Sequence, residues 1–168
     1  YTLHERKMGG LSLCPLQPHL LATCSLDNVV AIWDRRKLSE TVDINESLIS
    51  LPYRRAVTAV NWHPRRADRI VSTCYDDHVR IHRLNASFTG CDEPDLEIPH
   101  NNQTGRWITV FKAFWDPKST TEHDTVILGN MNHGLDLIDG HSATLYNYQS
   151  DYLTSQPAVN AAHEQRDW

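Results

Sequence analysis

Three short clusters of basic residues recur along the chain: Arg6-Lys7, Arg54-Arg55, and Arg106 with Lys112 further in. Two of them set a planar side chain beside the charge, Tyr53 and Trp107. Cations repeated on one rim suit a phosphate backbone, and a neighbouring ring can stack on a base or wedge between two. The third cluster, His100-Asn101-Asn102-Gln103-Thr104-Gly105-Arg106-Trp107-Ile108-Thr109, is the most distinctive. Gly105 permits a turn conformation that residues with a Cβ resist, so Arg106 and Trp107 are presented at or just past a tip. Lys7, Arg54, Arg55, Arg106 and Lys112 are therefore candidate phosphate contacts, and Trp107 a candidate stacking group. Two other assignments stay open: charged loop tips are ordinary solubility features, and Trp107 serves equally well as the first core residue of the strand after it.

Other chemistry is missing. The chain has no G-x-S-x-G, no P-loop and no dinucleotide fingerprint. His78 and His82 are four apart, which in a strand of ~3.3 Å rise per residue separates them by about 13 Å, too far to share a metal. Asp76-Asp77 pairs two carboxylates, but neighbours in a strand point to opposite sides. No enzyme activity, small-molecule substrate, cofactor or metal is expected. Cys14, Cys24, Cys74 and Cys91 form no C-x-x-C pair and read as free thiols in a reducing compartment. No apolar run approaches the roughly 18 residues of a membrane helix, so no membrane partner is expected. The net charge of −5 is uneven. Residues 1–118 carry 15 Lys and Arg against 14 acids (+1), and residues 119–168 carry Arg166 against 7 acids (−6). A nucleic-acid surface would lie in the first part.

The elements that must hold these residues are written twice. Residues 19–34, His-Leu-Leu-Ala-Thr-Cys-Ser-Leu-Asp-Asn-Val-Val-Ala-Ile-Trp-Asp, return 49 positions later as 68–83, Asp-Arg-Ile-Val-Ser-Thr-Cys-Tyr-Asp-Asp-His-Val-Arg-Ile-His-Arg (68 − 19 = 49). Cys14-Pro15 and His63-Pro64 precede them at the same offset. A repeat of this length with four strand-like runs, one closed by Trp-Asp, predicts an all-β fold, the WD-repeat β-propeller. At roughly 45 to 50 residues per blade the chain holds about three blades, while closed propellers have about four to eight, so a fragment of a larger propeller is expected.

The divisions are 1–7, the end of a preceding blade; 8–51, a blade; 52–106, a blade with a polar insertion; 107–156, a degenerate blade; and 157–168, the start of another. Blade one is expected to use Met8–Leu13, Leu20–Ser25, Val29–Trp33 and an outer strand over 41–48. Blade two uses Val57–Trp62, Arg69–Cys74, Val79–Arg83 and 95–99. Blade three uses 107–115, Thr125–Gly129, Leu135–Asp139 and Ala143–Tyr148. Trp33 and its equivalent His82 are expected to close side-chain networks with turn residues, Asp27 or Asp76.

Leu20 to Asp27, Trp33-Asp34-Arg35-Arg36-Lys37, Thr104-Gly105-Arg106-Trp107-Ile108-Thr109, Phe111-Lys112-Ala113 and Trp115-Asp116-Pro117 resemble one nuclear WD-repeat family. These are the DNA damage-binding proteins typified by the fungal changed-mutation-rate protein, relatives of the small subunit of the damaged-DNA-binding complex. The resemblance implies a seven-bladed propeller in the nucleus that binds single- and double-stranded DNA and prefers ultraviolet-damaged duplex. In that relative a hairpin enters the minor groove where Gly105-Arg106-Trp107 falls. Its aromatic-Gln-His triplet is absent here, and Arg106 and Trp107 would act by charge and stacking. Trp33-Asp34-Arg35-Arg36 also fits the W-D-x-R pattern of propellers that dock on the cullin-4 ubiquitin ligase adaptor. That makes Trp33, Asp34 and Arg36 candidate partner-binding residues, on the face opposite the DNA rim. The leading expectation is a non-enzymatic DNA binder of the damage response. The alternative is an interaction scaffold, either a cullin-4 ligase substrate receptor or a chromatin reader without direct DNA contact.

Overall fold

Apolar and β-branched runs broken by Asn, Asp and Pro give twelve short strands among the described residues. The structure, a computed structural model, describes residues 1–40, 45–85, 87, 93–105, 109–120 and 122–149. The strands form three four-stranded antiparallel sheets. The first holds β1 (Met8–Leu13), β2 (Leu20–Ser25), β3 (Val29–Asp34) and β4 (Ile49–Pro52). The second holds β5 (Val57–Trp62), β6 (Arg69–Cys74), β7 (His78–Arg83) and β8 (Leu96–Pro99). The third holds β9 (Phe114–Trp115), β10 (Thr125–Gly129), β11 (Gly134–Asp139) and β12 (Leu145–Gln149). Each is ordered as in the sequence, inner strand to outer, and β5 touches both β1 and β9. This is a section of a WD-repeat propeller, as expected.

Stacked sheets explain the burial patterns. Every residue of β6 is buried, because successive side chains point into different neighbours. Ile70 joins the core shared with the first sheet, including Leu20, Ile32 and Val60. Val71 joins the core shared with the third, including Trp115, Val126 and Ile138. β12 is exposed throughout. The first two sheets approach so closely that a Cβ on Gly9 would stand 2.6 Å from the Val57 carbonyl oxygen, inside van der Waals contact, which is why the inner strand is Gly-Gly here.

Three expectations need correction. The outer strand of the first blade is Ile49–Pro52 and not 41–48. Its alternation of buried Ile49 and Leu51 with exposed Ser50 and Pro52 is what lets it cover β3, while 45–48 are not in a strand and 41–44 lie outside the described residues. The inner strand of the third blade is Phe114–Trp115; of the expected 107–115, residues 109–113 are not in a strand and 107–108 lie outside the described residues. Side chains of the second sheet take the preceding backbone instead: Thr58 Oγ1 donates to Phe111 O, Asn61 Nδ2 to Ala113 O at 2.7 Å, and Ala113 N donates to Thr73 Oγ1 at 3.0 Å. The last strand is Leu145–Gln149 rather than 143–148, since Ala143 takes a left-handed turn conformation with φ 57°. Residues 1–7, expected to finish a preceding blade, lend His4 to the first sheet, and 157–168 lie outside the described residues.

Candidate nucleic-acid interface

The register decides which loops share an end. Val29 pairs with Pro52, His78 with Pro99 and Cys24 with Gly10. Residues 1–7, 53–56 and 100–105 therefore emerge at one end of the sheets, beside the β2–β3 and β6–β7 turns. Arg6 and Arg55 are repeat-equivalent and are held alike. Ser25 Oγ donates to the Arg6 carbonyl at 3.1 Å, and Cys74 Sγ to the Arg55 carbonyl at 3.2 Å. Leu26 N donates to Lys7 O and Tyr75 N to Ala56 O, each at 3.0 Å. The backbone is fixed and the charged heads of Arg6, Lys7, Arg54 and Arg55 are exposed.

Lys112 is also exposed, between buried Phe111 and Ala113. Burial pushes the Cys24 thiol up to about 12. Two of the acids at this end are engaged elsewhere: Asp27 with His4 at 2.8 Å and Asp76 with Arg80 at 2.6 Å. Gly105 has φ 70°, the left-handed turn expected of it. Arg106 and Trp107 lie outside the described residues.

A ring locks each link into the sheet that follows. Trp33 Nε1 donates to Thr23 Oγ1 at 2.7 Å, Thr23 Oγ1 meets His4 Nε2 at 2.7 Å, and His4 Nδ1 meets Asp27. With Nδ1–H directed at the carboxylate, Nε2 accepts the threonine hydroxyl. Asp27 closes this network, as expected. In the second blade Tyr53 replaces His4, and its hydroxyl lies 2.7 Å from Ser72 Oγ and 2.6 Å from His82 Nε2. Asp76 does not close that network. It holds Arg80, whose guanidinium also meets Glu97 and lies 5.1 Å from the centre of the Tyr53 ring. In the third blade His100 takes the place, 3.1 Å from Asp136.

Burial, then the Arg80 charge, lowers the His82 imidazole to about 4. The unfolded chain, titrating near 6.5, then binds the extra proton between these values. Stability is full above about pH 6.5 and falls as pH drops toward 4, by about 3 kcal/mol at most from this group. Burial lowers His63 in the same sense. Urea melts at pH 7.5, 6 and 5 should show the fall, and His82→Gln should flatten it; an equal fall in the variant would sink the assignment.

At the opposite end Arg36 donates Nε to Asp34 Oδ1 at 2.9 Å and Nη2 to Oδ2 at 2.6 Å, with 66 % of its side chain exposed. That guanidinium holds the Asp34 carboxyl well below the usual range. Trp33, taken from sequence as a partner contact, is 5 % exposed and bonded to Thr23, so its ring serves the fold.

No protein-family model matches the chain. Curated relatives do. It is 35 % identical to DNA damage-binding protein CMR1 of Phaeosphaeria nodorum over 100 % of this chain and 34 % of that protein. It is 34 % identical to the protein of the same name from Chaetomium globosum, with the same coverage. Protein DAMAGED DNA-BINDING 2 of Arabidopsis thaliana is 34 % identical over 96 % of this chain and 29 % of its own length. The chain spans about a third of the length of these relatives.

Proposed function

From the match of this chain along its whole length to the WD-repeat DNA damage-binding family, we propose that the protein carrying these blades is a nuclear, non-enzymatic DNA binder of the damage response that favours ultraviolet-lesioned duplex. The observation that carries the reading is the shared end. Lys7, Arg54 and Arg55 stand exposed there on backbone fixed by repeat-equivalent hydrogen bonds, and Lys112 is exposed further along the last link. Arg106 and Trp107 follow Gly105 in the same link and add a further cation and the stacking group. Such contacts fix position without reading sequence. That suits a sensor of deformable, poorly stacked sites. The relatives are named for binding damaged DNA, not for catalysis.

The test is fluorescence anisotropy with the intact protein, intact and photolesioned duplexes, and two salt concentrations. Binding should favour the lesion, weaken with salt, and fall about tenfold or more per reversed contact in Arg55→Glu and Arg106→Glu. Absence of binding at low salt overturns the reading and leaves the scaffold alternative. Arg36, exposed at the far end, is the residue through which a cullin-4 ligase adaptor would dock; Arg36→Ala should abolish adaptor capture and leave DNA affinity unchanged.

A further inference from the structure

The link between the second and third sheets starts like the link before it. Tyr53 N donates to Asn28 O at 2.8 Å, and His100 N to Asp77 O at 2.9 Å. Asn28 and Asp77 are repeat-equivalent and share a left-handed backbone, φ 68° and 62°. Beyond that common bond the later link is longer, and the extra residues are bolted down. Asn102, 2 % exposed, uses every polar group it has. Its N donates to Asp77 Oδ1 at 2.9 Å. Its Nδ2 donates to Cys74 O at 2.9 Å and His78 O at 3.2 Å. Its Oδ1 accepts from His100 Nδ1 at 2.7 Å, and its carbonyl accepts from Thr104 N at 3.0 Å. Gln103 Nε2 adds a bond to Tyr75 O at 2.8 Å.

The turn gripped this way also holds the other link. Cys74 Sγ donates to Arg55 O, and Tyr75 N to Ala56 O. Residues 74–78 are thus clamped from one side by the segment bearing Arg54 and Arg55 and from the other by Asn102. We infer that Asn102 is a positioning residue for DNA contact: it fixes the turn against which the Arg54–Arg55 segment is registered, and so sets where those charges meet the phosphates. This rests on the DNA-binding reading above.

Asn102 carries no charge, which makes the test sharp. The slope of log affinity against log salt counts the phosphates neutralised, about 0.9 per contact on duplex DNA. In the intact protein, Asn102→Ala should lower the magnitude of that slope by roughly 1 to 2 units. In that background Arg55→Ala should cost less than twofold, against roughly tenfold in the unsubstituted protein. A merely structural loss would reduce the active fraction and leave the slope alone. Gln103→Ala removes only exposed bonds and keeps the fold, and should shift the slope in the same direction by a smaller amount. Unchanged slopes in both variants, with DNA binding intact in the unsubstituted protein, overturn the inference. Absence of binding in the unsubstituted protein overturns the DNA reading and this inference with it.

Discussion

Replacing Asp124 by alanine will destabilise the protein by about 3–5 kcal/mol, the cost of leaving a buried charge without its partner. The Asp124 carboxylate is fully buried between the second and third sheets. His63 Nε2 lies 3.0 Å from Oδ1, and Arg69 Nη1 donates to Oδ2. Arg66 stands 3.8 Å from the same oxygen. Arg69 is itself 1 % exposed and has one other acidic partner among the described residues, Asp95, at 2.7 Å. Its Nε has no acceptor among the described residues. Without Asp124 the guanidinium keeps its charge, since arginine does not deprotonate, and faces Asp95 from a site closed to water. The carboxylate is also an inter-blade strut, because Arg69 Nη1 donates to Gly140 O at 3.2 Å from the same position. Urea denaturation should show the midpoint fall for Asp124→Ala, and much of it should return in Arg69→Met/Asp124→Leu, which removes both charges and keeps volume. A loss under about 1 kcal/mol for the single variant would mean that water reaches the pair.

How far the sequence disclosed this depends on which blade is considered. Blades one and two were legible because the repeat carries side chains that do the same work at the same offset: Thr23 and Ser72, Ser25 and Cys74, Trp33 and His82. The ring at 4 and 53 obeys that offset too, but His and Tyr share no obvious chemistry until each is found against the hydroxyl of its own sheet. The role of Asp76 departs from the repeat for the same reason. Tyr53 reaches both Ser72 and His82 without an acid, which frees Asp76 for Arg80, a residue whose counterpart in blade one is Ala31. The third blade resisted because its inner backbone is satisfied by side chains of its neighbour, and sequence periodicity has no signal for that. The basic residues of the candidate interface were visible as charges in links. Asn102 was not, because its role exists only once the link folds over residues 74–78.

Trp33→Ala should cost about 3–5 kcal/mol as a large core deletion, whereas Arg36→Ala, three residues on, should stay within about 0.5 kcal/mol as an exposed pair. Both residues sit in the same Trp-Asp-Arg-Arg run, and the W-D-x-R pattern taken alone assigns them to one site. The indole lies in a cluster with Leu21 and Ala31 and directs Nε1 at Thr23. Its loss opens a cavity and also removes the donor that orients the Thr23 hydroxyl toward His4. Trp33→Phe keeps most of the volume and deletes that donor, and should cost about 1–3 kcal/mol for the polar group left short. Chemical denaturation of the three variants therefore splits the run into a ring that serves the fold and a guanidinium that leaves it untouched. Equal, small losses for Trp33→Ala and Arg36→Ala would instead make the ring dispensable to the sheet. The contact surface would then have to be redrawn to include it.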